Sequence, residues 1–292
     1  MTVREAIRVG QERLSIAQIE TSELDATLLL AHLMEQPHLE LWLRQSEELS
    51  PALANKFLDV IQRRSRREPL QHITGWTAFL DMEIHVNQDV LVPRPETEIL
   101  AQKAIEFLNQ RPTPRKALDW GTGSGCLALA LARHVEDCEV TAIDASPDAL
   151  RVARANATAF RLADRIRFLQ GRGVQALEAK GLASVNQTEF DVVVTNPPYI
   201  CSEEIPKLQT EVRDYDPLLA LDGGIDGMDC YREIAKTMGE WLKADGTLMA
   251  EFGDGQARDV EMLFLEQGWT IKGVEKDLSD RERILIVAPP RR

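Results

Sequence analysis

The spacing of hydrophobic and polar residues changes twice along the chain. Over residues 1–72 the apolar positions recur at helical intervals, which predicts a small helical domain. Over residues 73–92 short alternating apolar segments flank the turn-prone Gly75, which predicts a hairpin linker. From residue 93 to residue 292 apolar runs of strand length alternate with helical patterns, so this region is predicted to form one larger domain.

Capping residues mark helix boundaries in the first region. The run from Ser22 to Asp25 has the spacing of a capping box ahead of an apolar stretch. Ser50 followed by Pro51 predicts the start of another helix, with the serine as its cap. The last turns of that helix carry four arginines: Arg63, Arg64, Arg66 and Arg67. Such a cluster is either favourable charge at a helix C-terminus or a surface for an acidic partner or RNA.

The larger region alternates strands with helices. Helices are predicted at Leu127–His134 and at Pro147–Phe160, the second capped by Ser146. The predicted strands are Ala117–Trp120, Val140–Ile143, Ile166–Leu169, Asp191–Val194, Thr247–Glu251, Trp269–Val274 and Arg283–Val287. This alternation predicts an α/β fold, a Rossmann-like, doubly wound and mainly parallel sheet that binds its ligand at the carboxyl ends of the strands.

A glycine-rich loop joins the first predicted strand to the first predicted helix, in the sequence LDWGTGSGCLALALA. Gly121, Gly123 and Gly125 allow a tight turn and a close approach of the backbone to a ligand. The loop lacks the last glycine of the dinucleotide pattern, because that position is Cys126, and no P-loop sequence occurs in the chain. The loop alone indicates either a structural turn or a nucleotide-like ligand.

Two carboxylates make the chemistry of the loop more specific. Asp119 ends the strand before the loop, where it would repel a pyrophosphate and attract an ammonium or sulfonium group. Asp144 ends the next strand, where a carboxylate is able to accept hydrogen bonds from both ribose hydroxyls; it is also a candidate cap for the helix at Pro147. S-adenosylmethionine, which has no phosphate, fits these charges better than NAD does. The pattern favours a methyltransferase.

The fourth predicted strand runs into Asn196, Pro197, Pro198 and Tyr199. The two prolines have fixed φ angles and no N–H groups, so nearby carbonyl oxygens have no local donor. Asn196 adds a side-chain acceptor, and Tyr199 is available to pack on a flat group. These acceptors suit a planar –NH2 group, which is a weak nucleophile and gains from being positioned against a methyl donor. The alternative is a polyproline turn that only ends the strand.

Composition narrows the classes of partner. The 34 basic and 47 acidic residues give a net charge of -13, which argues against a protein that mainly grips nucleic acid. The four cysteines form no CxxC pair and the five histidines no HxxxH pair, so neither a disulfide framework nor a metal site is expected. Because the sequence has no apolar run of membrane-spanning length and no signal peptide, the protein is expected in the cytoplasm.

Taken together, the motifs resemble those of the release factor glutamine methyltransferases (the PrmC/HemK family), S-adenosylmethionine-dependent enzymes of the class I methyltransferase type. The glycine loop is generic and the NPPY sequence is shared with methyltransferases of DNA and RNA amines, whereas LVPRPETE and ALDGGIDG are typical of protein glutamine methylation. The resemblance implies that a glutamine in the Gly-Gly-Gln motif of peptide chain release factors is methylated on its N5 amide nitrogen. The resembling segments extend over nearly the whole chain: PLQHITGWTAF, LVPRPETE, DWGTGSG, TNPPYI, LALDGGIDGMDCYREI and EFGDGQ.

The resemblance also implies roles for individual residues. S-adenosylmethionine is expected on Asp119, Gly121, Thr122, Gly123, Ser124, Gly125, Asp144 and Asn196. The substrate glutamine is expected on Asn196, Pro197, Pro198 and Tyr199, of which Asn196, Pro197 and Tyr199 are the catalytic candidates. The helical domain is expected to help engage the release factor, and neither a metal, a membrane nor sequence-specific nucleic acid binding is expected.

Two segments depart from the family pattern. After the third predicted strand the family usually has an acidic and a large apolar residue beside the adenine, and here Arg172 and Gly173 take those places. The run DPLLAL replaces a more usual Glu-Pro-Arg-like run that borders the substrate. Three alternatives stay open: a ribosomal protein glutamine methyltransferase, a nucleic-acid exocyclic-amine methyltransferase, and a binding module that has lost the cofactor.

Overall fold

The structure, a computed structural model, describes residues 1–179 and 190–291. These residues divide into two compact units. The first unit comprises Met1–Trp76 together with Leu208–Tyr215, and the second comprises the other described residues. The segment Leu208–Tyr215 therefore belongs to the first unit although it lies far from the rest of that unit in sequence.

Helices occur in both units. In chain order the α-helices of the described residues are α1 (Val3–Ile16), α2 (Ser22–Met34), α3 (Pro51–Ser65), α4 (Leu70–Thr74), α5 (Pro95–Asn109), α6 (Cys126–His134), α7 (Pro147–Ala159), α8 (Gly173–Glu178), α9 (Thr210–Arg213), α10 (Leu218–Leu221), α11 (Asp229–Thr237) and α12 (Ala257–Glu266). Within residues 1–179 and 190–291, each helix is too short or too polar to cross a membrane.

The strands form a two-stranded hairpin and a larger sheet. They are β1 (Trp76–Phe79), β2 (Met82–His85), β3 (Arg115–Trp120), β4 (Cys138–Asp144), β5 (Ile166–Gln170), β6 (Phe190–Thr195), β7 (Leu242–Glu251), β8 (Thr270–Lys276) and β9 (Glu282–Ala288). The pair β1–β2 is the predicted hairpin, and the seven predicted strands are confirmed as β3–β9. The largest difference is in β7, which begins at Leu242 rather than at Thr247.

The predicted helix caps have mixed outcomes. Ser50 caps α3 by accepting a hydrogen bond from the N–H of Leu53 at 3.2 Å, and Ser146 caps α7. The predicted capping box at Ser22 is wrong, because Ser22 is already the first helical residue of α2 and the cap position before it makes no side-chain bond. Asp25, the other member of that spacing, instead binds an arginine.

The first unit contains its own apolar core, formed by α1, α2 and α3, and a buried ion-pair cluster. Arg64 Nε lies 2.7 Å from Asp25 Oδ2, and Arg64 Nη1 lies 3.2 Å from Glu211 Oε1. Arg67 Nε donates to Glu211 as well, at 2.9 Å. The side chain of Arg64 is only 8% exposed. Arg64 therefore serves as the buried partner of two carboxylates, and not as a solvent-exposed charge at the helix end or as part of a partner-binding surface. The cluster fixes the segment of Glu211 to α2 and α3.

The large sheet of the second unit has the order β5-β4-β3-β6-β7-β9-β8. The pairs from β5 to β7 are parallel, and β9 pairs antiparallel with both β7 and β8. From β3 the chain first moves outward through β4 and β5, and then returns to the other side of β3 with β6. The order therefore reverses between β3 and β6, and in doubly wound sheets this point is where ligands bind.

Alternate residues of each strand face opposite sides of the sheet. Ala117 of β3 packs with residues of α5, α6 and α7, whereas its neighbour Leu118 packs with residues of α8, α11 and α12. The strands that are covered on both faces read as continuous apolar runs, as in the Val192–Val194 part of β6. The two apolar layers hold the carboxyl ends of β3, β4, β5 and β6 at one edge.

Candidate active site

The carboxyl ends of β3 and β6 lie side by side where the strand order reverses, with Trp120 opposite Thr195. A cavity of about 340 Å³ opens at this edge. Of the predicted site residues, the cavity is lined by Gly121, Thr122, Gly123, Ser124, Asp144, Asn196, Pro197 and Pro198. Asp119, Gly125 and Tyr199 are not part of the lining, and their contacts are with the residues around it.

The glycine loop presents bare backbone to the cavity. The φ angles are +74° at Gly121, +54° at Gly123 and +85° at Gly125, in the region that favours glycine. In the described residues, nothing lies within 4 Å of the position that a Cβ would take at Gly121 or Gly123. At Gly125 a Cβ would come 3.1 Å from the Cβ of Ala153, so this glycine serves the packing of α6 on α7.

Asp119 is fully buried and shapes the loop from inside the protein. Its Oδ2 accepts hydrogen bonds from Thr122 Oγ1 at 2.6 Å and from the N–H of Ala128 at 3.1 Å. Its Oδ1 has no partner within the described residues. Burial raises the pKa of this carboxyl to about 7, against the two hydrogen bonds, which lower it. A cation bound at the loop would favour the ionised form.

Asp144 ties the glycine loop to the end of β4. One carboxylate oxygen accepts from the N–H of Gly123 at 2.8 Å, and the other accepts from the N–H of Ser146 at 2.8 Å. Burial raises the pKa of Asp144, and these N–H donors oppose the rise. The cap of α7 is Ser146 and not Asp144. Each carboxylate oxygen has a second lone pair, so Asp144 is still able to accept from a ligand hydroxyl.

A chain of hydrogen bonds orients Asn196. Its Nδ2 donates to Thr97 Oγ1 at 3.1 Å, and the Thr97 hydroxyl donates to Glu251 Oε2 at 2.7 Å. Because a hydroxyl has only one proton, a threonine that donates to a carboxylate is able only to accept from the amide. The amide nitrogen of Asn196 is therefore turned toward Thr97, and its Oδ1 is kept as the acceptor at the cavity.

Thr97 and Glu251 are almost inaccessible to solvent, at 3% and 2% exposed. Burial raises the pKa of Glu251 to about 7, while the hydrogen bond from Thr97 acts in the opposite direction. The carbonyl of Glu251 accepts from the hydroxyl of the buried Tyr231 at 2.7 Å. We call this chain of hydrogen bonds, from Glu251 through Thr97 to Asn196, the relay. Both the side chain and the backbone of Glu251, at the end of β7, are thus held by hydrogen bonds.

The backbone of the Asn-Pro-Pro-Tyr turn is supported by two glycines and a glutamine. A Cβ at Gly223 would come 2.8 Å from the carbonyl oxygen of Pro198, and a Cβ at Gly227 would overlap the carbonyl oxygen of Tyr199. Gln256 Nε2 donates to the same carbonyl of Tyr199 at 2.9 Å. The segment before α11 and the loop after β7 therefore leave the turn little freedom to move.

Tyr199 differs from the other residues of the turn. Its half-buried ring packs against the apolar layer that contains Tyr231 and Phe252. Burial raises the pKa of the Tyr199 hydroxyl to about 12, and the charge of Glu251 adds to the rise. The structure thus places the ring against the core, while Pro197 and Pro198 line the cavity.

Sequence reasoning assigned no role to the residues that hold Asn196 and its turn. Thr97, Glu251, Gln256, Gly223 and Gly227 all lie in the segments that carry the family resemblance, LVPRPETE, EFGDGQ and LALDGGIDG. The sequence signal that pointed to these residues was therefore their location in segments that resemble the family but contain no evident reactive group. The pairing itself depends on the fold, since Thr97 and Glu251 are 154 positions apart.

The residues present fit S-adenosylmethionine. The loop at Gly121 and Gly123 offers a cradle of backbone without side chains. Asp119 carries a buried carboxylate oxygen that lacks a partner within the described residues, and Asp144 retains acceptor capacity at the end of β4. A site without Lys or Arg along the glycine loop suits a cofactor that has no phosphate.

The site combines hydrogen-bond acceptors suited to an –NH2 group with a neighbouring glycine loop. This combination is typical of a Rossmann-like, S-adenosylmethionine-dependent methyltransferase. The PrmC N-terminal domain family matches residues 5–75, and the methyltransferase small domain family matches residues 97–211. The chain belongs to the release factor glutamine methyltransferase family, because it aligns over its whole length with proteins of that name.

Two relatives illustrate the match. The release factor glutamine methyltransferase of Clostridium acetobutylicum is 32% identical over 286 residues, which cover 98% of this chain and 98% of that protein. The protein of the same name from Bradyrhizobium diazoefficiens is 40% identical over 265 residues, which cover 90% of this chain and 86% of that protein. These alignments include both the helical region and the sheet.

Among solved structures, a methyltransferase from Pyrococcus furiosus superposes with a TM-score of 0.52 at 18% identity. The superposition covers 79% of this chain and 99% of that one. At this identity the similarity supports the fold, and the site is argued from the residues of this chain.

Proposed function

We propose that the protein transfers a methyl group from S-adenosylmethionine to the side-chain amide nitrogen of the glutamine in the Gly-Gly-Gln motif of peptide chain release factors. The names of its relatives support the release factor as the substrate. The observation that carries the chemistry is the relay from Glu251 through Thr97 to Asn196, which keeps an acceptor oxygen at the cavity.

Asn196 and the proline turn position the substrate amide by accepting hydrogen bonds from its N–H groups. The Oδ1 of Asn196 accepts one N–H of the glutamine –NH2 group, and a carbonyl of the proline turn accepts the other. Two such bonds fix the plane and direction of the nitrogen, which lowers the entropic part of the barrier. After methylation the nitrogen carries an extra proton and is acidic enough to lose it to water. Asn196 therefore acts by positioning and is not required as a base.

Gly121, Gly123, Asp119 and Asp144 are the residues proposed to hold S-adenosylmethionine. When bound, the cofactor supplies an electrophilic methyl group on a sulfonium centre. The open space at Gly121 and Gly123 receives its amino-acid part, and the oxygens of Asp144 accept from ribose hydroxyls. The buried charge of Asp119 favours a cationic ligand at the loop.

The organisation of the chain is part of the proposal. Residues 1–72 form the recognition domain for the release factor, residues 73–92 the hairpin linker, and residues 93–292 the methyltransferase domain, from which Leu208–Tyr215 departs to join the first unit. Release factors act in the cytoplasm, and we place the enzyme there as well. Its net charge of -13 suits a protein substrate better than a nucleic acid.

The function is tested by offering methyl-labelled cofactor and a panel of substrates in parallel. The panel contains a release factor, the same release factor with Gly-Gly-Gln changed to Gly-Gly-Glu, ribosomal protein, and RNA and DNA. We expect label only on the unchanged release factor, and mass spectrometry should locate it on the glutamine. Label on ribosomal protein or nucleic acid, with none on the release factor, would contradict the proposal.

A further inference from the structure

The far end of the cavity lies at the end of β5. The strand order β6, β3, β4, β5 puts Asn196, the glycine loop, Asp144 and then Gly171–Gly173 in sequence along the edge of the sheet. On the proposed function, the sulfonium belongs beside Asn196 and the ribose beside Asp144. The adenine base then belongs at the end of β5, and this inference rests on that assignment.

The loop after β5 offers no side-chain acceptor to the base. Arg172 is exposed and Gly173 has no side chain. A guanidinium carries five donors and no acceptor, so Arg172 cannot receive a hydrogen bond from the exocyclic amino group of adenine. An acceptor for that amino group lets a site favour adenine over hypoxanthine, which carries an oxygen in its place and a proton on N1.

Glu233 of α11 brings a carboxylate to this position. A Cβ at residue 173 would overlap Glu233 Oε1 and would come 2.8 Å from Cη2 of Trp120. Gly173 also has a φ of +52°, a conformation that side chains disfavour. The absence of a side chain at residue 173 is thus what makes room for the carboxylate of Glu233 over the end of β5. Trp120 lies beside it in the lining.

The other carboxylate of α11 in the lining, that of Asp229, is paired with an arginine of the same helix. Asp229 Oδ1 accepts from Arg232 Nη1 at 2.9 Å. Within the described residues no hydrogen bond is made by the side chain of Glu233, although Arg172 is close enough for its charge to lower the pKa of that carboxyl. Burial acts more strongly and raises the pKa of Glu233. Glu233 is exposed and lines the cavity, and a carboxylate there without a hydrogen bond is suited to receive a ligand donor.

We propose that Glu233 accepts a hydrogen bond from the exocyclic amino group of the adenine of S-adenosylmethionine. Helix α11, and not the loop after β5, then determines which base the site selects. The family pattern has an acidic and an apolar residue where this chain has Arg172 and Gly173. The proposal explains this difference, because a side chain at residue 173 would occupy the space through which Glu233 reaches the base.

The test measures binding of S-adenosylhomocysteine and of S-inosylhomocysteine by calorimetry, without any methyl transfer. The second ligand replaces the amino group by an oxygen, gains a proton on N1, and is unchanged at the sulfur and the ribose. The proteins are the wild type, Glu233→Ala, Glu233→Gln and, as a control, Glu266→Ala, which removes an exposed glutamate of α12 away from the cavity. Thermal unfolding of each protein checks that the exposed substitutions leave the fold intact.

We expect the wild type and Glu266→Ala to prefer the adenine ligand, and Glu233→Ala to lose about tenfold in affinity for it and most of the preference. Glu233→Gln carries a donor as well as an acceptor, so it should bind the inosine ligand better than the wild type does. Equal preferences in all four proteins would overturn the role of Glu233 while leaving the proposed function intact. Failure of the wild type to bind either ligand would instead contradict the proposed function.

Discussion

The side-chain nitrogen of Asn196 lies 3.1 Å from the hydroxyl oxygen of Thr97, and this contact decides which way the amide of Asn196 points. If the amide were turned by half a rotation, it would offer a donor to a substrate that has donors of its own. The ionised carboxylate of Glu251 prevents this, because it accepts a hydrogen bond made with the only proton of the Thr97 hydroxyl. On the proposed function, substrate orientation therefore depends on a carboxylate that need not touch the substrate.

Replacing Thr97 by valine keeps the shape of the side chain and removes the relay. We expect kcat for release factor methylation to fall by about tenfold to a hundredfold, because the amide of Asn196 is no longer fixed. Thr97→Ser retains the hydroxyl and is expected to retain most of the activity. Steady-state kinetics of the two variants, with calorimetric binding of S-adenosylhomocysteine, separate orientation from cofactor binding. A Thr97→Val enzyme as fast as Thr97→Ser would show that the relay does not matter.

Glu251 makes the stability of the ligand-free protein depend on pH. Its pKa rises from 4.5 to about 7 in the folded protein, so the folded state holds a proton that the unfolded state releases. The resulting stabilisation is complete below about pH 4.5 and is lost as the pH rises through about 7. Relative to Glu251→Gln, the wild type should lose about 3 kcal/mol of unfolding free energy between those limits. Urea unfolding at pH 5 and pH 8 measures this, and parallel curves for the two proteins would contradict it.

Gly227→Ala should damage the Asn-Pro-Pro-Tyr turn. The new methyl group would overlap the carbonyl oxygen of Tyr199, so the turn must shift, and methyl transfer should fall by at least about tenfold. Gly268→Ala is a matched control, because φ is +81° there and +74° at Gly227, while the nearest atom to its Cβ is 3.6 Å away. Both variants carry similar backbone strain. Equal activities of the two would mean that support of the turn by Gly227 is unimportant.

Arg64→Ala should destabilise the first unit, because Asp25 and Glu211 would lose a buried cation. The expected loss is about 3 kcal/mol of unfolding free energy. Arg63→Ala is the comparison, since Arg63 pairs with Glu68 at the surface and its removal should cost about 1 kcal/mol or less. Chemical unfolding followed by fluorescence measures both variants. A small and equal loss in the two would show that the buried cluster contributes little.

Much of the sheet was predictable from the sequence, because strands covered on both faces read as short apolar runs between turn signals. Strand β6 and the turn at Asn196 follow this rule. Spacing alone misjudged Ser22, because three-residue spacing to an acidic residue does not reveal that Asp25 faces Arg64 of another helix. The same limit applies to the arginine cluster, whose partner Glu211 is 147 positions from Arg64.

The site was predictable where a residue's chemistry is visible in its own motif, and unpredictable where it depends on a contact made by the fold. The bare backbone at Gly123 belongs to the first kind. The pairing of Thr97 with Glu251 belongs to the second, as does the placement of Glu233 over Gly173 by α11. Asp119 lies between these cases, because its position was recognised but its bonds to Thr122 and Ala128 were not.

The most direct measurement is single-turnover methylation of a release factor by Asn196→Ala, with binding of S-adenosylhomocysteine followed by calorimetry. The substitution removes the acceptor at the cavity and leaves the glycine loop and Asp144 unchanged. We expect the rate of glutamine methylation, read by mass spectrometry, to fall by at least about a hundredfold, with cofactor affinity largely retained. A normal rate of methylation by Asn196→Ala would contradict the central claim that this side chain orients the substrate amide.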